Sequence, residues 1–181
     1  TKEVRNVMGY KVLGTIPSTR RRALLPGSSN SIEPEHQILD APNSLSSEAY
    51  KMLQTKLKFL HLDQQTQKVI AVSSSVAQEG KSTVSANLAA VNAELGSRVL
   101  LIDADLHRPR QHDIWNIEND VGLNEVLLDR VELNKATKPV MPNLDVLTAG
   151  NSKVNSLVLF NSDKMSELLE YARHKYDLII L

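Results

Sequence analysis

The sequence predicts an α/β fold, a mostly parallel sheet with helices on both of its faces. Short apolar runs alternate with segments of helical periodicity from Lys68 onward. One of these runs, Val99-Leu100-Leu101-Ile102, is apolar at every position, as a strand covered on both faces must be. Apolar residues make up 41% of the 181 and charged residues 23%, enough to build a core and too apolar for wholesale disorder.

The elements follow in order. Val12-Leu13-Gly14-Thr15-Ile16-Pro17 reads as an edge strand stopped by its proline. Residues 18–44 carry Ser, Pro, Gly and Asn without periodicity and read as a linker or surface loop, with Arg20-Arg21-Arg22 inside it. That basic run reads as solvated; contact with anionic lipid headgroups normally takes a cluster of about four to eight. A helix begins near Ser46, capped by Ser46 or Ser47, with Tyr50, Leu53, Leu57 and Leu60 at spacings of three and four. Val69–Val72 is a strand. Lys81–Leu95 is a helix with Val84, Leu88, Val91 and Leu95 on one face, stopped by Gly96. Val99–Ile102 is the next strand, followed by a short helix around Leu123–Leu128 and the strand Leu144–Leu147. Ser162–Arg173 is a helix, and a last strand begins at Asp177.

Composition narrows the function. Lys plus Arg (21) equals Asp plus Glu (21), so the basic excess of a phosphate-tracking nucleic-acid binder is missing and no nucleic-acid partner is expected. Cysteine is absent, which excludes thiolate zinc sites and cysteine nucleophiles. The longest apolar runs fall far below the roughly 18–20 residues of a membrane helix. The start, Thr1-Lys2-Glu3, is not a signal peptide, and Tyr176–Leu181 reads as a buried strand with no turn after it. Both ends are therefore expected to be cuts within a longer chain.

The strongest chemical signal is Ser75-Val76-Ala77-Gln78-Glu79-Gly80-Lys81-Ser82-Thr83, placed between a strand and a helix. Backbone N–H groups of such a loop and the free helix N-terminus suit a polyphosphate. Gly80 permits close backbone approach, Lys81 supplies a cation for the β- and γ-phosphates, and the Ser82 hydroxyl is a ligand for Mg²⁺. Gly-Lys-Ser alone is weak; its position between strand and helix makes it informative. The second signal is Asp103-Ala104-Asp105 at the carboxyl end of the next strand, where parallel sheets collect ligands. One carboxylate can hold Mg²⁺ or its waters while the other accepts a proton, the division of labour phosphoryl transfer requires. Arg108 can touch phosphate or pair with a carboxylate. His107 and His112 are five apart without a third ligand, a poor zinc pattern. Trp115, the lone tryptophan, reads as core or interface.

Five segments resemble the bacterial tyrosine kinase (BY-kinase) family: Leu45–Leu60, the loop Ser75–Thr83, Leu101–Pro109, Val121-Gly122-Leu123-Asn124-Glu125-Val126-Leu127 and Asn143-Leu144-Asp145-Val146-Leu147-Thr148-Ala149-Gly150. The resemblance runs from about residue 7 to the end and implies a P-loop NTPase-like fold. It also implies a division into a juxtamembrane-type segment and linker, residues 1–44, and a kinase domain, residues 45–181, that stops short of its Walker B aspartate. It further implies a Walker A loop at Ser75–Thr83 that binds ATP or ADP, with Lys81 on phosphate and Ser82 on Mg²⁺. A Walker A′ motif would fall on Asp103, serving the metal, and Asp105, helping to activate the acceptor tyrosine. The partners implied are neighbouring subunits of a ring and the membrane-embedded half of a polysaccharide co-polymerase, at the cytoplasmic face of the bacterial inner membrane. The function implied is tyrosine (auto)phosphorylation that regulates capsule or exopolysaccharide synthesis and export.

The chain departs from the family pattern at three places. His107 stands where arginine is usual, and the first loop glycine is Ser75. The helix motif Glu-x-x-Arg-x-x-Arg associated with ring assembly reads Glu48, Lys51 and Gln54, and a glutamine cannot form a bidentate ion pair. Two other readings remain open on the sequence. One is a partition-type P-loop ATPase, although Val76 stands where those enzymes usually carry a signature lysine. The other is a nucleotide-sensing module of a polysaccharide exporter that turns over little or no ATP.

Overall fold

The computed structural model describes residues 9, 11–17, 43–60, 69–76, 78–151 and 163–181. The run Arg20–Arg22, nearly all of the expected linker, Ala77 and Ser162 lie outside them. The chain forms two compact units, residues 1–65 and 66–181.

In the first unit, helix α1 spans Leu45–Leu60. Its cap is Ser44, whose Oγ accepts the Ser47 N–H at 3.1 Å. The expected caps, Ser46 and Ser47, are instead buried inside the first turn. The helix starts one residue earlier than the apolar periodicity shows, at the exposed Leu45, so the last non-helical residue is Ser44. Glu48 and Lys51 are exposed, and Gln54 is buried. The edge strand expected at residues 12–17 is not formed. Residues 11–17 carry no strand.

The second unit holds strands β1 (Val69–Ile70), β2 (Val99–Ile102), β3 (Lys138–Met141), β4 (Leu144–Leu147) and β5 (Leu178–Ile180). Its helices are α2 (Lys81–Glu94), α3 (Gln111–Trp115), α4 (Leu123–Leu127), α5 (Leu133–Ala136) and α6 (Asp163–Lys175). Strand order is β1-β5-β2-β4-β3, parallel except for β3, which runs antiparallel to β4 at the edge. The chain continues the β1–β5 ladder past its assigned end, with Leu181 N–H bonded to Ile70 O and Val72 N–H to Leu181 O. Bidentate pairing of Arg98 with Asp177, Nη2 to Oδ1 at 2.7 Å and Nε to Oδ2 at 3.1 Å, ties the entries of β2 and β5 together.

β2 alternates between two buried faces. Leu100 and Ile102 join Leu147, Ile179, Leu123, Leu127, Leu168 and Ala172 in one core cluster under α4 and α6. Val99 and Leu101 are equally buried on the opposite side, where α2 packs. Helix α2 ends in a Schellman turn: Gly96 N–H bonds to Ala93 O, Ser97 N–H to Asn92 O, and Gly96 takes φ +89°. Leu95 therefore leaves the apolar face expected for it and is 64% exposed, because the helix closes at Glu94.

The segments Val121–Leu127 and Asn143–Gly150 lie against each other. Leu123 N–H bonds to Thr148 O at 2.7 Å and Asn124 N–H to Ala149 O at 3.0 Å. Gly122 N–H donates to the Glu125 carboxylate at 2.9 Å. A Cβ on Gly122 would run into the Thr148 carbonyl and the Gly150 nitrogen, both backbone atoms that cannot swing aside. Gly122→Ala is therefore expected to destabilise the fold by about 1–3 kcal/mol through overpacking. A thermal melt reads this, and an unchanged midpoint would contradict the close approach.

Candidate active site

β1 and β2 flank β5 in the sheet, so the segments leaving their carboxyl ends come out on either side of the end of β5. Between them is a cleft of about 270 Å³ lined by Lys81, Ser82, Asp103, Asp105, Gln111 and Leu181, among others. The loop reaches it from β1. Gly80 is the N-cap of α2 at φ 89°, a conformation that L side chains rarely adopt, and it leaves the first helical turn without a side-chain cap. The N–H groups of that turn remain available to an anion.

Lys81 opens α2, and its Nζ meets Asp105 Oδ2 at 2.6 Å across the cleft. Asp105 Oδ1 also accepts the Arg108 N–H at 2.9 Å. Burial pushes the Asp105 carboxyl up, but the Lys81 ammonium and the Arg108 N–H outweigh it and hold the group below its ordinary range. Asp103 is 5% exposed. Its Oδ2 accepts the N–H groups of Arg110 and Gln111, each at 2.8 Å, and its Oδ1 that of Asp105 at 3.2 Å. Burial dominates these bonds and raises its carboxyl. Asp103 thus ties the turn after β2 together from inside, while Asp105 faces the lysine.

Among the described residues, no three His, Asp or Glu side chains come together as a metal cage. The donor set at hand is the Ser82 hydroxyl, one or two carboxylates and space for water. That set fits Mg²⁺, which keeps several waters and binds through one or two carboxylates plus phosphate oxygens.

Of the residues expected to act on nucleotide or metal, Lys81, Ser82, Asp103 and Asp105 line this cleft. Others do not. Val76 is 61% exposed. Glu79 turns back on its own loop, where its Oε2 accepts the N–H groups of Ser75 at 2.9 Å and Val76 at 3.3 Å. Those hydrogen bonds, that from Val76 first, lower its carboxyl. Arg108 is exposed and it is His107, not Arg108, that lines the cleft. Sequence reasoning missed Gln111 and Ser85. Gln111 is 3% exposed, and its Nε2 donates to Ser82 O at 3.0 Å and Ser85 Oγ at 3.2 Å. No local pattern marks a glutamine eight residues after Asp103 as part of a site; the turn held by Asp103 brings it there.

A loop leaving β1 and two carboxylates at the carboxyl end of β2, with β5 alone between the two strands, define a nucleotide-binding α/β protein of the P-loop class. Residues 67–181 match the family described as AAA domain, and the chain belongs to that family as one of its bacterial tyrosine-kinase domains. The tyrosine-protein kinase YwqD of Bacillus subtilis is 42% identical over 140 residues, which are 77% of this chain and 59% of YwqD. The chain therefore spans about three fifths of that curated relative. The kinase domain of the Escherichia coli tyrosine kinase ETK superposes with a TM-score of 0.86 at 33% identity, over 99% of this chain and 71% of that one. The septum site-determining protein MinD of Pyrococcus horikoshii, solved as a complex with Mg-ADP, superposes with a TM-score of 0.54 at 26% identity, over 62% of this chain and 47% of MinD.

Proposed function

We propose that the chain is the ATP-dependent kinase domain of a protein-tyrosine (auto)kinase that regulates capsular or exopolysaccharide synthesis and export. The observation that carries this reading is the contact of Lys81 with Asp105, which joins the phosphate loop to a proton acceptor on the next strand. The tyrosine-kinase relatives give the acceptor its class. In this reading Ser75–Thr83 wraps the phosphates of ATP and Lys81 exchanges Asp105 for a phosphate oxygen. Asp105, freed of its ammonium, then takes the proton of the attacking phenol. Ser82 and the Asp103 side of the cleft would hold Mg²⁺, which when bound neutralises charge across the β- and γ-phosphates. Arg108, exposed and outside the cleft lining, would meet phosphate only after its side chain moves.

The partners proposed with it are a membrane-embedded co-polymerase half at the cytoplasmic face of the inner membrane and neighbouring subunits of the same kind. Among the described residues no helix is long and apolar enough to cross a membrane. Of the helix motif, Glu48 and Lys51 are exposed and Gln54 is buried, and a ring built on this helix would use fewer ion pairs than the family motif allows. The likeness to MinD favours a second reading, a partition-type ATPase.

The test is to incubate the full-length protein with Mg-ATP and a tyrosine-containing polymer, then map phosphorylated residues by mass spectrometry while following ADP. Phosphotyrosine is the expected result. ADP release without phosphotyrosine would replace the kinase by the ATPase, and bound nucleotide with neither product would leave a sensing module.

A further inference from the structure

The loop between β1 and α2 carries a clamp made from its own side chains. Glu79 Oε2 accepts the N–H of Ser75 at 2.9 Å and that of Val76 at 3.3 Å, and the Ser75 hydroxyl donates to the same oxygen at 3.1 Å. The Ser74 hydroxyl donates to Val76 O at 2.9 Å. These bonds close residues 75–79 on themselves, one residue before Gly80 and Lys81. Within that stretch and just after it, Gln78 takes φ 67° and Gly80 φ 89°. A chain that visits the left-handed region twice in three residues keeps that path only where other contacts hold it. The clamp also accounts for serine where the family has its first loop glycine. Ser75 does not take a positive φ, so glycine's freedom is not needed there, and the hydroxyl gives Glu79 a third donor. Ser75, Val76 and Glu79 are exposed, and none of them lines the cleft.

We infer that Glu79 is a positioning residue for the nucleotide phosphates, its carboxylate holding the loop from outside the cleft in the shape that brings Lys81 and the first turn of α2 to them. A carboxylate on a phosphate loop has two opposed effects. Its charge repels the polyanion, and its hydrogen bonds order the loop before the polyanion arrives. Position decides between them. Both backbone donors it takes come before Gly80, so the N–H groups of the first turn of α2 are left for phosphate. Solvent and salt around an exposed carboxylate screen its charge, whereas a loop already shaped needs less ordering when the ligand binds. The inference rests on the nucleotide-binding part of the function proposed above and does not depend on the acceptor being tyrosine.

The test measures binding of a fluorescent ADP analogue, with Mg²⁺ present, to full-length wild type, Glu79→Met and Glu79→Gln, beside thermal melts without nucleotide. One intramolecular hydrogen bond changes an equilibrium constant by about 2- to 12-fold net. Glu79→Met, similar in length but without an acceptor oxygen, should raise the Kd about fivefold and leave the nucleotide-free melt near that of wild type. Glu79→Gln, whose amide oxygen can take both backbone N–H groups, should recover most of that loss. Repulsion as the ruling effect would show the opposite, both variants binding more tightly than wild type, and would overturn the inference. Equal losses in the two variants would overturn it as well, since one of them keeps the acceptor. So would unchanged affinity in Glu79→Met, whether or not its melt falls, because a prop of the fold alone gives that result. Should Glu79→Met fail to fold by circular dichroism, Ser75→Ala decides. It removes one donor, about a twofold loss is expected, and binding as tight as that of wild type is equally fatal. Wild type that binds no nucleotide would sink the nucleotide reading itself, a separate result.

Discussion

Lys81→Met is expected to reduce phosphotransfer by at least about 10²-fold, the scale for losing one preorganised group that stabilises transition-state charge. Two losses combine in it. The cation meant for the phosphates disappears, and Asp105 is left facing the cleft without the ammonium that sat 2.6 Å from it. An incoming triphosphate then meets a bare carboxylate. For this reason the double variant Lys81→Met/Asp105→Asn should bind nucleotide more tightly than Lys81→Met alone, a coupling that only residues in contact display. Nucleotide titrations of the four proteins in the cycle check it. Additive losses would mean that the pair is not formed in solution. The pair also has a signature in pH. The folded Asp105 carboxyl lies below its unfolded value. Its stabilising contribution is therefore complete above the ordinary aspartate range and disappears as pH falls through the lowered folded value. The melting difference between wild type and Asp105→Asn should accordingly shrink in acid.

Asp103→Asn should lower the melting temperature as well as the activity. The usual expectation for such a change is a quiet fold, since asparagine has the same shape. Here Oδ2 accepts two N–H groups, from Arg110 and Gln111, and Oδ1 accepts a third from Asp105. An amide has one acceptor oxygen, so whichever way it turns its NH₂ faces an N–H donor. At least one buried backbone donor is left unpaired, at about 1–3 kcal/mol. In a chain of this size that amounts to a midpoint lower by about 2–12 °C. Asp103→Ala abandons all three donors and should fall further. An Asn variant with an unaltered melt and reduced activity would assign Asp103 to the metal alone and remove its role as the tie of the turn.

The family and the loop were legible because their signals are local. Strand, loop and helix follow one another within Val69–Glu94, and Gly80, Lys81 and Ser82 are consecutive. Asp103 and Asp105 needed only the rule that ligands gather at strand ends. Three short elements were not legible. Strand β3 contains Pro139 and is followed by Pro142, which argue against a strand in the interior of a sheet; the edge position of β3, paired only with β4, tolerates them. Helix α3 has five residues and α5 four, too short for periodicity to register. The cap of α1 was misplaced by two or three residues because three serines stand within four positions and only the backbone decides which one is last outside the helix.

By itself, then, the sequence determined the fold class, the phosphate loop and the presence of two carboxylates beyond the next strand, since each is written in neighbouring residues. Only the tertiary structure decided what those groups do to one another. Placement of β5 between β1 and β2 puts Lys81 opposite Asp105, turns Asp103 inward onto three backbone donors and brings Gln111 beneath Ser82. Those contacts join residues 7 to 29 positions apart. Strand order sets such distances, and no local spacing encodes it.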